Sequence, residues 1–95
     1  MPEMHFTIRW PDGERERCYS PSLVIKDYFT PGASYPLADF VQRSRDALTI
    51  ASERVRAKYG YGCGHAHAQL EQIERRAGTF PDAARASVTV ESFEE

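Results

Sequence analysis

Apolar positions recur along this chain with two different periods, and the longest regular run lies between Pro36 and Tyr59. Leu37, Val41, Ser44, Leu48, Ala51 and Val55 alternate spacings of four and three, which at about 100° per residue gather into one stripe of a single long helix. Pro36 suits the first helical turn, where a missing N–H is no loss, and Gly60 follows as a left-handed cap. A helix with one apolar stripe needs a sheet to cover.

The strands are written in the shorter period. Met4, Phe6, Ile8 and Trp10 alternate with His5, Thr7 and Arg9, the pattern of a strand with one buried face. Pro11-Asp12-Gly13 supplies the chemistry of a tight turn. A second strand should return over Glu14 to Tyr19, with charge on both faces, as a short edge strand whose charges discourage further pairing. Ser20 and Pro21 read as the N-cap and first residue of a two-turn helix bearing Leu23, Val24, Asp27 and Tyr28. Thr30 to Pro36 is the conspicuous loop. A third helix is predicted over His65 to Ala77 from Ala66, Leu70, Ile73 and Ala77, ended by Gly78, followed by a loop over Thr79 to Arg85. The last strand runs over Ala86 to Phe93, and Glu94 and Glu95 are expected to fray. The class is α+β in the order β-β-α-α-α-β: a three-stranded, mostly antiparallel sheet, the last strand beside the first, helices on one face, and a single domain over 1–95.

The long helix has a second side. Ile50 points about 160° away from Leu48, beside Ala47 and Ala57, with Phe40, Arg43 and Arg54 nearby. A lone exposed isoleucine is ordinary, but an apolar centre rimmed by arginine is also the composition of a contact surface. Phe40, Arg43, Ile50 and Arg54 are therefore the interface candidates, for a homodimer or for a partner protein.

Composition narrows the partners. With 41% hydrophobic and 27% charged residues the chain is an ordinary globular one, and for 10.8 kDa folding removes roughly 65% of the unfolded surface. A net charge of −2 gives no attraction for nucleic acid or anionic lipid, and Arg43, Arg45, Arg54, Arg56 and Lys58 are spread around the helix and answered by Asp46 and Glu53. The N-terminus has no secretory pattern and no stretch reaches the length of a membrane span, so the expectation is a cytoplasmic protein with two free thiols, Cys18 and Cys63. No P-loop, dinucleotide-binding or hydrolase-elbow motif occurs, and no cofactor is expected.

Reactive chemistry has one candidate, Cys63 in the run GCGHAH. A cysteine just before a helix sits where orphan N–H groups and the helix dipole favour a thiolate, and glycines on both sides leave it accessible. His65 and His67 are near enough in sequence to serve as a base or as further ligands of a Cys63, His65, His67 metal site, the weaker alternative. Two positions apart on a helix, however, they diverge by roughly 200°. A capping cysteine flanked by solvated histidines fits the same residues.

The segments MHFTIRWPDG, CYSPSLVIKDYF and YPLADFVQRSRDALTIASERVRAKYGYGC resemble small bacterial nitrogen-starvation response proteins, through the W-P-D-G turn, the Y-S-P-S start and the R-x-x-L-x-x-A-S-E-R-V-R run. The resemblance covers nearly the whole chain and implies a genomic setting: genes for a nitrilase, a radical S-adenosylmethionine enzyme, an acetyltransferase and a flavoprotein, in clusters for use of nitrile or cyanide nitrogen. It brings no catalytic residues with it, and it extends to Cys63 but not to His65 and His67. Two expectations follow. The first is a non-catalytic accessory protein that binds a pathway enzyme or peptide intermediate through the Ile50 face, the charged edge strand or the Thr30 to Pro36 loop. The second is a small enzyme or ligand carrier whose Cys63 thiolate engages an electrophilic nitrile-type species.

Overall fold

In the computed structural model, which describes residues 3–82 and 85–95, a four-stranded antiparallel sheet carries its helices on one face. The elements are β1 (Met4–Arg9), β2 (Arg15–Ser20), α1 (Ile25–Tyr28), β3 (Ser34–Pro36), α2 (Leu37–Tyr59), α3 (Gly64–Ala77) and β4 (Ser87–Glu94), and the strand order is β2-β1-β4-β3. The predicted hairpin forms, with Phe6 opposite Cys18 and Ile8 opposite Glu16, and the last strand lies antiparallel beside the first.

The alternation of the first strand is realised in full. Met4, Phe6, Ile8 and Trp10 are buried, and they join Val88 and Val90 of β4, Leu37, Phe40, Ala47, Leu48 and Ala51 of α2, and Ala66 and Ile73 of α3 in one core. A bulge in β4 opposite Thr7 and Ile8 leaves Glu91 unpaired in the ladder. That extra residue resets the alternation, so Phe93, paired with Phe6, packs on the core face together with Val88 and Val90. The other sheet face is polar: Glu91 meets Arg15 at 3.0 Å and Arg9 at 3.6 Å, and Arg17 meets Glu94 at 2.7 Å.

The sheet has a fourth strand where a loop was expected. Ser34–Pro36 pairs with β4, flanked by Leu37 N–H donating to Ala86 O at 2.8 Å and Val90 N–H donating to Ala33 O at 3.0 Å. With odd-numbered residues bonded toward β4, the absent N–H of Pro36 faces outward, which is where an edge strand tolerates proline. Pro36 accordingly stands before α2 with an extended backbone, φ −53° and ψ 144°, rather than inside its first turn.

The Ser20-Pro21 helix start is also corrected. Ser20 ends β2; its hydroxyl donates to Ser22 O at 2.7 Å and accepts from Ser22 N–H at 3.3 Å, while Val24 N–H donates to the Ser22 hydroxyl at 3.3 Å. Local serine bonds of this kind compete with helix formation, and the chain enters α1, a single turn, only at Ile25. Gly60 closes α2 at φ 86°, the expected left-handed cap, whereas Gly78 ends α3 in right-handed geometry with φ −65°. The C-terminal glutamates are engaged rather than frayed: Glu94 lies in β4, and Glu95 meets Lys26 at 2.9 Å. In the predicted loop Thr79 to Arg85, Ala83 and Ala84 lie outside the described residues.

Candidate functional site

The sequence candidates do not assemble into one centre. Cys63 caps α3 with φ −90° and ψ 112°, half-buried, its N–H donating to the Ser52 hydroxyl at 3.1 Å and its carbonyl accepting from His67 N–H at 3.2 Å. Gly62 before it packs closely: a Cβ there would stand 2.8 Å from the Ser52 hydroxyl oxygen, so a larger residue requires that hydroxyl, the acceptor for Cys63 N–H, to shift. His67 leans along the helix to Glu71 at 3.0 Å, and His65 packs edge-on against Tyr19 at 6.0 Å between ring centroids. The two imidazoles thus leave the helix in different directions, as two-residue spacing requires. Among the described residues no group of three His, Cys, Asp or Glu side chains is placed to hold a metal ion, and Cys63, His65 and His67 are not brought together as one.

The interface candidates are largely taken up by the fold itself. Phe40 is fully buried, packed against Trp10 at 5.7 Å and Phe29 at 5.4 Å, and so belongs to the core and not to an outer face. Arg43 pairs with Asp39 at 2.9 Å, donates to Tyr28 O at 2.8 Å and lies over the Tyr35 ring at 4.9 Å. Arg54 donates to the Ser22 hydroxyl at 2.8 Å, and Ile50 is half-buried against the core. The second side of α2 is covered by the segment from Ser22 to Phe29, whose Val24, Ile25 and Phe29 are buried. Their spacing follows neither the helical nor the strand period over a useful length, so this cover was not legible in the sequence.

A cleft that the sequence did not announce opens between the β1–β2 edge and α3. Glu3, His5, Glu16, Tyr19, His65, Ala68, Gln69 and Gln72 line it, with a volume of about 720 Å³. β2 is an edge strand, so its odd-numbered backbone groups point away from β1, and α3 supplies a cover: Tyr19 N–H donates to Gln69 Oε1 at 3.0 Å. Glu16, opposite Ile8, falls on the core side of β2, where its Oε1 accepts from Trp10 Nε1 at 3.0 Å and Gln72 Nε2 at 3.2 Å. The Tyr19 hydroxyl donates to Glu3 at 3.0 Å; burial, and then this carboxylate, push the phenol up to about 12. His65 alone of these residues stood among the sequence candidates. The legible signal was Glu16, a charge in the inward phase of a strand that also carries Cys18 and Ser20.

Burial has the opposite consequence for the two thiols. Cys18 is fully buried, and desolvation, reinforced by neighbouring Glu16, pushes its thiol well above the ordinary range. Cys63 stays partly open at the surface.

Taken together, these features define a two-layer α+β protein with a polar cleft at one sheet edge and a half-open cysteine at the turn between its two long helices. Residues 5–93 match the family described as nitrogen starvation-induced protein NitG, and the chain belongs to that family. Comparison with curated proteins and with solved structures gives no match. Among the described residues no helix is long and apolar enough to cross a membrane.

Proposed function

We propose that the protein is a non-catalytic accessory protein of the nitrogen-starvation response, which binds an enzyme or peptide intermediate of a nitrile- or cyanide-assimilation pathway encoded nearby. The observation that carries this reading is the separation of the reactive side chains. The candidate thiol Cys63 has neither histidine as its partner: His67 is directed to Glu71 and His65 to Tyr19. A nucleophile and its base work within hydrogen-bond reach of each other.

Partner binding by strand addition has little room. Tyr19 N–H on β2 is taken by Gln69, and the opposite edge is the three-residue β3 ending in Pro36. The exposed aromatics Tyr59, the last residue of α2, and Tyr61, on the connection to α3, offer a more accessible contact than the Ile50 face. Binding of the purified protein to each purified enzyme of the cluster, measured by calorimetry, tests the proposal; failure to bind any of them at micromolar concentration removes it.

The second reading, a thiol enzyme or carrier for nitrile-type species, is favoured by the half-open position of Cys63 at the start of α3. Incubation with a simple nitrile and intact-mass measurement tests it: a thioimidate adduct absent from Cys63→Ser supports this reading, and an unmodified protein removes it. Homodimerisation through the Ile50 face is compatible with either, and light scattering of the wild type against Ile50→Glu measures it.

A further inference from the structure

We infer that the C-terminal end of α2 docks an acidic segment of the partner enzyme, a site that rests on the accessory role above and names the chemistry of what it binds. Val55 and Tyr59 give that segment an apolar seat, and Arg54 and Lys58 beside them pair with its carboxylates.

The apolar stripe of α2 outruns the sheet it covers. Ala51 is its last buried residue, and the next position of the stripe, Val55, is only half-buried. Tyr59, one turn further along the same side, is 54% exposed. Across residues 53–61 every residue except Val55 is exposed. Tyr59 and Tyr61 are the large hydrophobic side chains that stand open among the described residues. A core stripe continued past the core has no packing of its own to serve, and Tyr beside Arg is the composition of a contact surface.

The charge beside this stripe is unanswered. Nine of the chain's twelve lysines and arginines meet a carboxylate; among the described residues the three that do not are Arg54, Lys58 and Arg75 of α3. Arg54 and Lys58 are one helical turn apart, on one flank of the Val55–Tyr59 stripe, and Lys58 Nζ lies 5.5 Å from the centre of the Tyr59 ring. Lys58 in the last turn also answers the helix dipole, but Arg54 is more than a turn back, and no dipole calls for an open tyrosine. Two free cations on a chain of net charge −2 suit the carboxylates of one short segment better than a phosphate backbone.

The end of the helix is also held in shape. Two uncovered turns do not sustain a helix alone, and here the connection to α3 fixes them. Gly60, at φ 86°, donates its N–H to Arg56 O at 2.8 Å, and Cys63 N–H reaches back to the Ser52 hydroxyl at 3.1 Å. A contact surface ordered beforehand loses less freedom on binding.

The probe is a glutamate–tyrosine copolymer, with a lysine–tyrosine copolymer of equal tyrosine content as the charge control and polyuridylate as the phosphate control. In a nuclear magnetic resonance titration at low ionic strength, the glutamate copolymer should shift the backbone signals of residues 54–61. Lys58→Glu and Tyr59→Ser, both at exposed positions outside the core, should each weaken it at least about tenfold. Shifts centred on Arg9, Arg15 and Arg17 instead, equal affinity for the lysine copolymer, tighter binding of polyuridylate, or unchanged affinity in both variants overturns the assignment. So does self-association through the same residues without a probe, which would make the occupant a second copy of the chain. An enzyme that binds the wild type and both variants alike overturns this site and leaves the accessory role standing. Copolymer bound at residues 54–61 with no enzyme bound supports the site and removes the accessory role.

Discussion

Arg54, on the long helix, donates a 2.8 Å hydrogen bond to the hydroxyl of Ser22, a residue almost wholly buried in the turn after β2. This contact and the bond from Arg43 to Tyr28 O fasten the Ser22 to Phe29 segment over the side of α2 that the sequence left unpartnered. A charge-assisted bond to a buried acceptor contributes about 1.5–3 kcal/mol, so Arg54→Ala should lower unfolding stability by about 2 kcal/mol. Urea denaturation measures it, and an unchanged midpoint would mean that the segment is held by its apolar residues alone.

Phe40 sits between Trp10 and Phe29 and is fully buried. Its truncation leaves a cavity under the sheet, and Phe40→Ala is expected to destabilise by about 3–5 kcal/mol, a large share of a small domain's stability. Thermal unfolding followed by circular dichroism tests this; a loss below about 1 kcal/mol would place the ring outside the core.

Stability should fall toward both ends of the pH scale. The hydrogen bond from Arg76 holds Asp12 below its ordinary 3.8, and that from Arg17 holds Glu94 below 4.5. Both lose protons more readily folded than unfolded, so the stability they add is present above the ordinary carboxylate range and lost as pH falls through the lowered values. Arg76→Gln and Arg17→Gln should flatten that acid limb. Tyr19 runs the other way: an unfolded phenol ionises near 10.0 and the folded one near about 12, so its contribution is lost as pH rises across that interval. Ultraviolet titration of phenolate, in wild type and Tyr19→Phe, isolates it.

The two thiols should differ in reactivity through access. Cys63 is half-open and Cys18 fully buried with a raised pKa. Alkylation of the native protein, located by peptide mass, should label Cys63 first and Cys18 only on unfolding. Equal labelling of both in the native state would contradict the burial of β2 under α3.

The first strand, the hairpin turn, the long helix and its glycine cap were legible because each is dictated by residues close in sequence: strict alternation, Pro-Asp-Gly, and a stripe of constant spacing. The fourth strand was not, since Ser34–Pro36 is too short for a period and exists only through pairing with β4. Ser20-Pro21 misled for a local reason, the serine hydroxyls closing a turn where a helix cap was expected. The buried side of Phe40 and the half-burial of Ile50 depend on an aperiodic segment folding over α2. The cleft depends on α3 docking against the free edge of β2, a tertiary relation for which Glu16, out of place on the inward face of a strand, was the only trace. The Cys63 neighbourhood was partly legible: its position before a helix was read, and the divergence of His65 and His67 followed from helical geometry.

The most direct measurement is calorimetric binding of the purified protein, wild type and Cys63→Ser, to each purified enzyme of the nitrile- or cyanide-assimilation cluster that the proposed function invokes. A non-catalytic accessory role predicts that at least one enzyme binds at micromolar concentration and that Cys63→Ser binds it equally well. No binding to any of them, or binding that disappears with the thiol, would contradict it.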